Sequence, residues 1–516
     1  MTANQEIELK FELDGDDLAR RKLRAELERR FGPGKAVKLT STYFDTADLA
    51  LREAAMSLRI RRSGNRRLQT VKGPPAAGAG PFARAEWERE IKGDSPDLNM
   101  VGDTPLGPLL ERSDTRQTLG PAFQSIIERT TWNVDQDGGA YEVALDRGKV
   151  KAEGRSARVC ELEVELKSGQ AGGLLSLARS LDAIAPLRLG GRTKADRGYE
   201  LLEMTETAAA GVEAPDLSPE MTVAEGFQAI ARACMRHFLL NEPLLIRDRS
   251  EPALHQTRVA LRRLRSAMSL FRTALGDPEF EPLKRRLAAL SRQLGDARNL
   301  DVFLSAMQAE AGAGRDREAL AEAIRRRREA AYDTVVEAMT APEARRLMFD
   351  LAVWVEAGAW ASADGPAQSP LPGFARDALD KRWRKLVKRG RRLAKLSEED
   401  RHHVRIEAKK LRYAVEFFAG LFQGRHKAKR HASAFLNDLK ALQGLLGDLN
   451  DVAQARTLTL ELAEAFAERK SPLQQRRRLI YAAGEEAGRR LAGAPRLIKE
   501  AAVAHTRLAE AKPFWR

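Results

Sequence analysis

"QEIELKFEL", residues 5–13, alternates Ile7, Leu9, Phe11 and Leu13 with Glu6, Glu8, Lys10 and Glu12. A period of two puts the apolar set on one face of a β-strand and three carboxylates and an ammonium on the other. One such strand reads as a solvated sheet face, but the pattern recurs. "MSLRIRR" (56–62) sets Arg59 and Arg61 against Leu58 and Ile60, and "RLQTVKG" (67–73) carries Thr70 and Lys72. "ARAEWEREI" (83–91) alternates Glu86, Glu88 and Glu90 with Trp87 and Ile91. "YEVALDRGKVKA" (141–152) and "CELEVELKSG" (160–169) do the same with Glu142 and Asp146, then with Glu161, Glu163 and Glu165.

A flat antiparallel sheet would expose these charges to screening water. A sheet curled into a barrel of about eight strands gathers them in one interior. Two like charges ~4 Å apart repel by about 4 kcal/mol at an effective dielectric near 20. Gathered glutamates therefore require cations, and the arginines and lysines require an anion. A divalent metal carrying a chain of phosphates meets both demands.

The distribution of charge divides the chain of 516 residues, which is long enough for two or more domains. Residues 1–214 hold 33 Lys+Arg and 34 Asp+Glu, a net of −1, and the remainder holds 55 and 39 (88−33 and 73−34), a net of +16. All seven histidines, His237 to His505, lie in the basic part. A metal in the first part must therefore use oxygen ligands, which favours Mg²⁺ or Mn²⁺ over zinc. The basic part should attract a polyanion. "TETAAAGVEAPDLSPEMT" (205–222) reads as a linker. The expected domains are 1–205, mostly strands with helices near 15–31 and 171–185, a linker 206–222, and an all-helical 223–516.

No apolar run approaches the length of a membrane span. The acidic, polar start predicts no secretory leader. Two cysteines make no disulfide framework, so a cytoplasmic setting is expected. "KGPPAAGAGPF" (72–82) lacks the ending of a nucleotide-binding P-loop.

Seven segments in order, from "EIELKFEL" through "STYFDTADLALREAAMSLRIRR", "QTVKG", "RAEWERE", "YEVALDRGKVKA" and "CELEVELKSG" to "GRTKADRGYELL", resemble the CYTH superfamily of triphosphate tunnel metalloenzymes. The resemblance implies an eight-stranded antiparallel tunnel that hydrolyses or cyclises a triphosphate with Mg²⁺ or Mn²⁺. Carried over by position, it makes Glu6, Glu8, Asp146, Glu161, Glu163 and Glu165 metal ligands. Lys10, Arg59, Arg61, Lys72, Arg129, Lys151, Lys194 and Arg197 become triphosphate contacts, the last two closing one tunnel end. Glu6, Glu8, Lys10 and Lys194 are the expected catalytic set. Phosphoryl transfer needs oxygens neutralised and a water placed in line, which these residue types provide.

The basic part contains an internal duplication. "HQTRVALRRLRSAMSLF" from His255 matches "HHVRIEAKKLRYAVEFF" from His402, and "LGDARNLDV" at 294 matches "LGDLNDVAQ" at 446. On a helix, offsets 0, 3, 7 and 10 fall within an arc of roughly 80°. His255, Arg258, Arg262 and Arg265 thus form one cationic stripe, and His402, Arg405, Lys409 and Arg412 a second. The paired motifs resemble the CHAD domain, which implies a duplicated helical bundle that binds inorganic polyphosphate.

The whole predicts an α+β protein that cleaves inorganic triphosphate and binds long-chain polyphosphate, in the cytoplasm and on polyphosphate granules. The alternatives are a non-catalytic polyphosphate-binding or granule-targeting protein, a nucleoside or thiamine triphosphatase, and an adenylyl cyclase. Aromatic residues do not interleave with the basic stripes, which disfavours nucleic acid. The sequence leaves the oligomeric state open.

Overall fold

A computed structural model describes residues 4–13, 17–73, 83–111, 113–169, 171–203, 208–309, 315–362, 365–422, 426–468 and 473–516. The chain divides into two compact units. One is Met1–Val212 with Ala231–Leu244 and Thr340–Ser362, and the other is Glu213–Ile230, Leu245–Met339 and Ala363–Arg516.

The alternating segments of the first unit form antiparallel strands: β1 Asn4–Glu12, β2 Lys35–Asp45, β3 Ser57–Ser63, β4 Arg66–Lys72, β5 Ala83–Glu90, β6 Gly120–Gln136, β7 Gly139–Ala152 and β8 Arg155–Ser168. They run β5-β4-β3-β2-β6-β7-β8-β1, and pairing of β1 with β5 closes the ring. A two-residue strand, β9 Arg188–Leu189, adds to the free stretch of β1 at Phe11 and Glu12. The ring thus has the eight strands expected, and the sheet has a ninth. β6, β7 and β8 join by two-residue loops, Asp137–Gly138 and Glu153–Gly154. All four residues have φ between 45° and 78°, as type I′ hairpins require.

The pleat decides what goes inside. Leu9, Phe11, Val143, Leu145, Leu162 and Val164 are buried on the outer face. On the β2–β5 side, Leu58, Ile60, Val71 and Trp87 pack with Leu51, Val101 and Leu106. The inner face carries the charges along most of its length. At one end it turns apolar, with Leu39, Tyr43, Phe123, Ile127, Val150 and Val159 packed around Tyr199. Tyr199 belongs to the helix Lys194–Leu202, which Thr193 and Asp196 start with a reciprocal capping box. Gly198 lets that helix seat on the ring, since a Cβ there would come within 2.1 Å of the Phe123 ring.

The second unit is helical. Its duplicated segments become two helices of 21 residues, Glu251–Phe271 and Glu398–Phe418, capped by Ser250 and Ser397. They pack on one another, and the equivalent residues Phe271 and Phe418 meet with ring centroids 5.8 Å apart. Among the described residues no helix is long and apolar enough to cross a membrane.

Candidate active site

Three rungs of the ladder build an acidic wall. Glu142, Glu165 and Glu8 lie abreast on β7, β8 and β1, then Ala144, Glu163 and Lys10, then Asp146, Glu161 and Glu12. Asp146, Glu161 and Glu163 are buried, and each offers an oxygen within 4.8 Å of the others. All-oxygen donors of this charge suit a hard divalent cation. Lys194 Nζ lies 2.8 Å from Asp146, 2.9 Å from Glu161 and 2.7 Å from Glu163. Arg129 donates to both oxygens of Asp146 from its Nε and Nη2 at 2.7 Å and also reaches Glu163. Lys10 stands 3.3 Å from Glu163, and Arg197 donates to Glu12 at 2.8 Å and to Glu161 at 3.4 Å.

Burial alone would raise these carboxyls and lower these bases. The mutual attraction of the charges overcomes it. Lys194, chiefly, holds Asp146 and Glu161 below the usual carboxylate range and Glu163 well below it. Against their own burial, Lys194 and Arg129 are driven well above their ordinary values, Lys194 chiefly by Glu161 and Arg129 chiefly by Glu163. Lys10 is likewise raised, by Glu161 and Glu163.

Across the tunnel stands a cationic wall. β3 is four strands from β8 in either direction round the ring, so Arg59 and Arg61 face the acidic wall. Arg59 pairs with Glu86 at 3.3 Å, and Lys72 with the same carboxylate at 3.0 Å. Arg61 is different. Its buried Nε has no hydrogen-bond partner among the described residues. Burial, with Arg59 and Arg129 nearby, lowers its guanidinium to about 10. Burial would raise the Tyr43 phenol, but Arg59, Arg61 and Lys194 bring it below the ordinary tyrosine value.

In the helical unit, the stripes converge. Arg262 Nε donates to Tyr413 of the second stripe's helix at 2.6 Å. Burial, then Arg298, Arg262 and Arg258, push His255 down to about 4. Burial with Arg262 and Arg298 lowers Arg258 to about 10, and burial with Arg292 and Arg262 lowers Arg265. Burial with Arg405 and Arg262 pushes Lys409 down to about 7. Arg405 is lowered mainly by burial.

Family models match both parts, a CYTH domain at residues 4–199 and a CHAD domain at residues 229–460. The chain is a CYTH domain followed by a CHAD domain. The CYTH region is 31% identical over 165 residues to an inorganic triphosphatase of Haemophilus influenzae, covering 32% of this chain and 46% of that protein. The chain thus matches less than half of that relative's length. An uncharacterized protein of Mycobacterium tuberculosis is 26% identical over 460 residues, 83% of each chain. The crystal structure of the CHAD domain from the plant Ricinus communis is similar at 29% identity and a TM-score of 0.51, covering 59% of this chain and 98% of that one.

Of the expected CYTH site residues, the tunnel brings together Lys10, Arg129, Asp146, Glu161, Glu163, Lys194 and Arg197 on one wall and Arg59, Arg61 and Lys72 on the other. Glu8 and Glu165 sit one rung along, where Glu165 pairs with Lys167 at 2.6 Å. The Glu6 side chain lies outside the described residues. Lys151 does not join the set. Five residues from Asp146 on a period-two strand, it falls on the opposite face and is exposed. There it lines an open cavity of about 400 Å³ with Gln124, Arg155 and Ser156.

The second CHAD stripe also departs from expectation, because it is not of one sign. Asp451 opposes the lowering of Arg405 and Lys409, and Glu416 pairs with Arg412 at 3.3 Å. His402 is exposed, with Nδ1 3.0 Å from Asn450 Oδ1. Glu12 and Tyr43 in the tunnel, and Arg298 and Asp451 in the bundle, were not singled out beforehand. Glu12 had a signal, since it shares the face of Glu8 and Lys10, and Arg298 and Asp451 lie within the duplicated segments at 294 and 446.

Proposed function

We propose that the CYTH domain hydrolyses inorganic triphosphate with Mg²⁺ or Mn²⁺, and that the CHAD domain binds long-chain polyphosphate. One observation carries the first reading. A buried all-oxygen acidic cluster faces, across a closed tunnel, a cationic wall in which Arg61 has no hydrogen-bond partner for its buried Nε among the described residues. A half-buried guanidinium with its Nε so placed calls for an anion.

Asp146, Glu161 and Glu163 would hold the metal, with Glu8 and Glu165 within one rung. The metal supplies charge neutralisation on the phosphate oxygens as the leaving phosphate departs. Arg59, Arg61 and Lys72 grip the remaining oxygens, and Lys10 and Arg129 add positive charge from the opposite wall. A carboxylate of the acidic wall orients the attacking water. Without a nucleophilic side chain paired to a base in this set, water is the direct attacker.

Phosphate release from tripolyphosphate, ATP and thiamine triphosphate, with Mn²⁺, Mg²⁺ or chelator, tests the reading. Tripolyphosphate should turn over fastest and chelator should stop it. Faster turnover of ATP or thiamine triphosphate would replace the inorganic substrate. Equal affinity of the full chain for long-chain polyphosphate and for single-stranded DNA of matched charge would reduce the CHAD stripes to a generic basic surface.

A further inference from the structure

Lys194 is the first residue of its helix, and the Thr193–Asp196 capping box fixes where that helix begins. Its ammonium is the shared partner of Asp146, Glu161 and Glu163, within 2.9 Å of an oxygen on each. These three carboxylates are the ones with oxygens mutually within 4.8 Å. A cation held by all three and the Lys194 ammonium need the same place. The carboxylates around that place are also already matched by cations. Glu12, Asp146, Glu161 and Glu163 are paired with Lys10, Arg129, Lys194 and Arg197. A divalent ion added alone would bring two further positive charges into this matched, buried set, which is costly.

We infer that Lys194 is a resident counter-ion of the metal position, and that it leaves the carboxylates for the incoming anion when metal and triphosphate enter together. The empty tunnel then holds metal weakly, and each ligand strengthens the other by the same factor. This assignment rests on reading the tunnel as a metal–triphosphate site, and it gives Lys194 a role before any phosphate arrives.

The test is Mn²⁺ binding to the full chain, followed by the electron paramagnetic resonance signal of free Mn²⁺, first without phosphate and then with a non-hydrolysable imido analogue of tripolyphosphate. Wild type should bind Mn²⁺ at least tenfold more tightly with the analogue than without it. Lys194→Met should bind Mn²⁺ alone at least tenfold more tightly than wild type, with less gain from the analogue. Equal affinity of the two proteins for Mn²⁺ alone overturns the inference. So does a wild type indifferent to the analogue. If Lys194→Met is too unstable to titrate, its melting temperature should climb with Mn²⁺ more steeply than that of wild type, and an equal climb also overturns the inference. The phosphate-free arm stands apart from catalysis. Absence of tripolyphosphate hydrolysis together with a tighter Lys194→Met would retire the proposed activity and keep the counter-ion role.

Discussion

The tunnel and the helical stripes both crowd cations into partly dry surroundings, yet they treat them in opposite ways. On the acidic wall of the tunnel, Lys194, Arg129 and Lys10 are raised above their ordinary values, because buried carboxylates lie against them. On the stripes, Arg258, Arg265, Arg405 and Lys409 are lowered, because burial and neighbouring arginines outweigh what opposes them, which is Asp451 at Arg405 and Lys409. The first region carries its own counter-charge and exchanges it. The second has less counter-charge, Asp451 and Glu416 beside one stripe, and on the proposed function a polyanion would supply the rest. Arg61 shows the behaviour of the stripes inside the tunnel, lowered by burial, Arg59 and Arg129.

Deleting a partner should therefore cost most in the tunnel. Glu163→Ala removes the shared partner of Lys194, Arg129 and Lys10 and should lose about 3–5 kcal/mol of folding stability in a denaturant titration, together with metal-dependent hydrolysis. A variant that unfolds like wild type would show that the wall is not dry. Arg61→Ala should do the reverse, weakening triphosphate binding by about 1.5–3 kcal/mol while leaving stability intact. A stability loss as large as that of Glu163→Ala would erase the distinction between the two walls.

Lys409 sharpens the comparison through pH. An ordinary lysine titrates near 10.5, and in the folded chain Lys409 titrates near 7. Between those values the folded chain binds fewer protons than the unfolded one, so the charge on Lys409 costs stability in full below pH 7, and the cost fades as pH rises. A polyanion favours the protonated form. Polyphosphate affinity should thus be greatest below pH 7 and fall severalfold toward pH 9, with protons taken up on binding. Lys409→Arg should flatten that profile, and a persistent slope would assign it elsewhere. The smallest effect is expected from Arg265→Gln, which relieves repulsion from Arg292 and Arg262. It should leave stability unchanged or raise it by up to about 1 kcal/mol.

Much of this was legible because period two is a strong signal. "QEIELKFEL" placed Lys10 and Glu12 on the face they occupy, and the His255 and His402 repeats became helices of equal length. Other features depend on distance in space. Lys151 failed on an odd offset within a strand otherwise read correctly. β9 has two residues and so no periodicity to read. The sign of a helical stripe also belongs to the surface rather than the helix. Asp451, which tempers Lys409, comes from a different helix, His426–Glu468. The meeting of Lys194 with three carboxylates needed the capped helix to aim inward, and nothing in "GRTKADRGYELL" states a direction.

Gly198 and the Phe123 ring have a consequence for traffic. Where that helix seats, the bore is filled by Tyr43, Phe123, Ile127 and Tyr199, so the passage is a cul-de-sac. Whatever enters must leave by the same mouth, and products queue against the next substrate. On the proposed function, a long polymer would present only its terminus to such a pocket, and the CYTH domain would read chain ends. Anhydride bonds in the middle of a chain stay out of its reach.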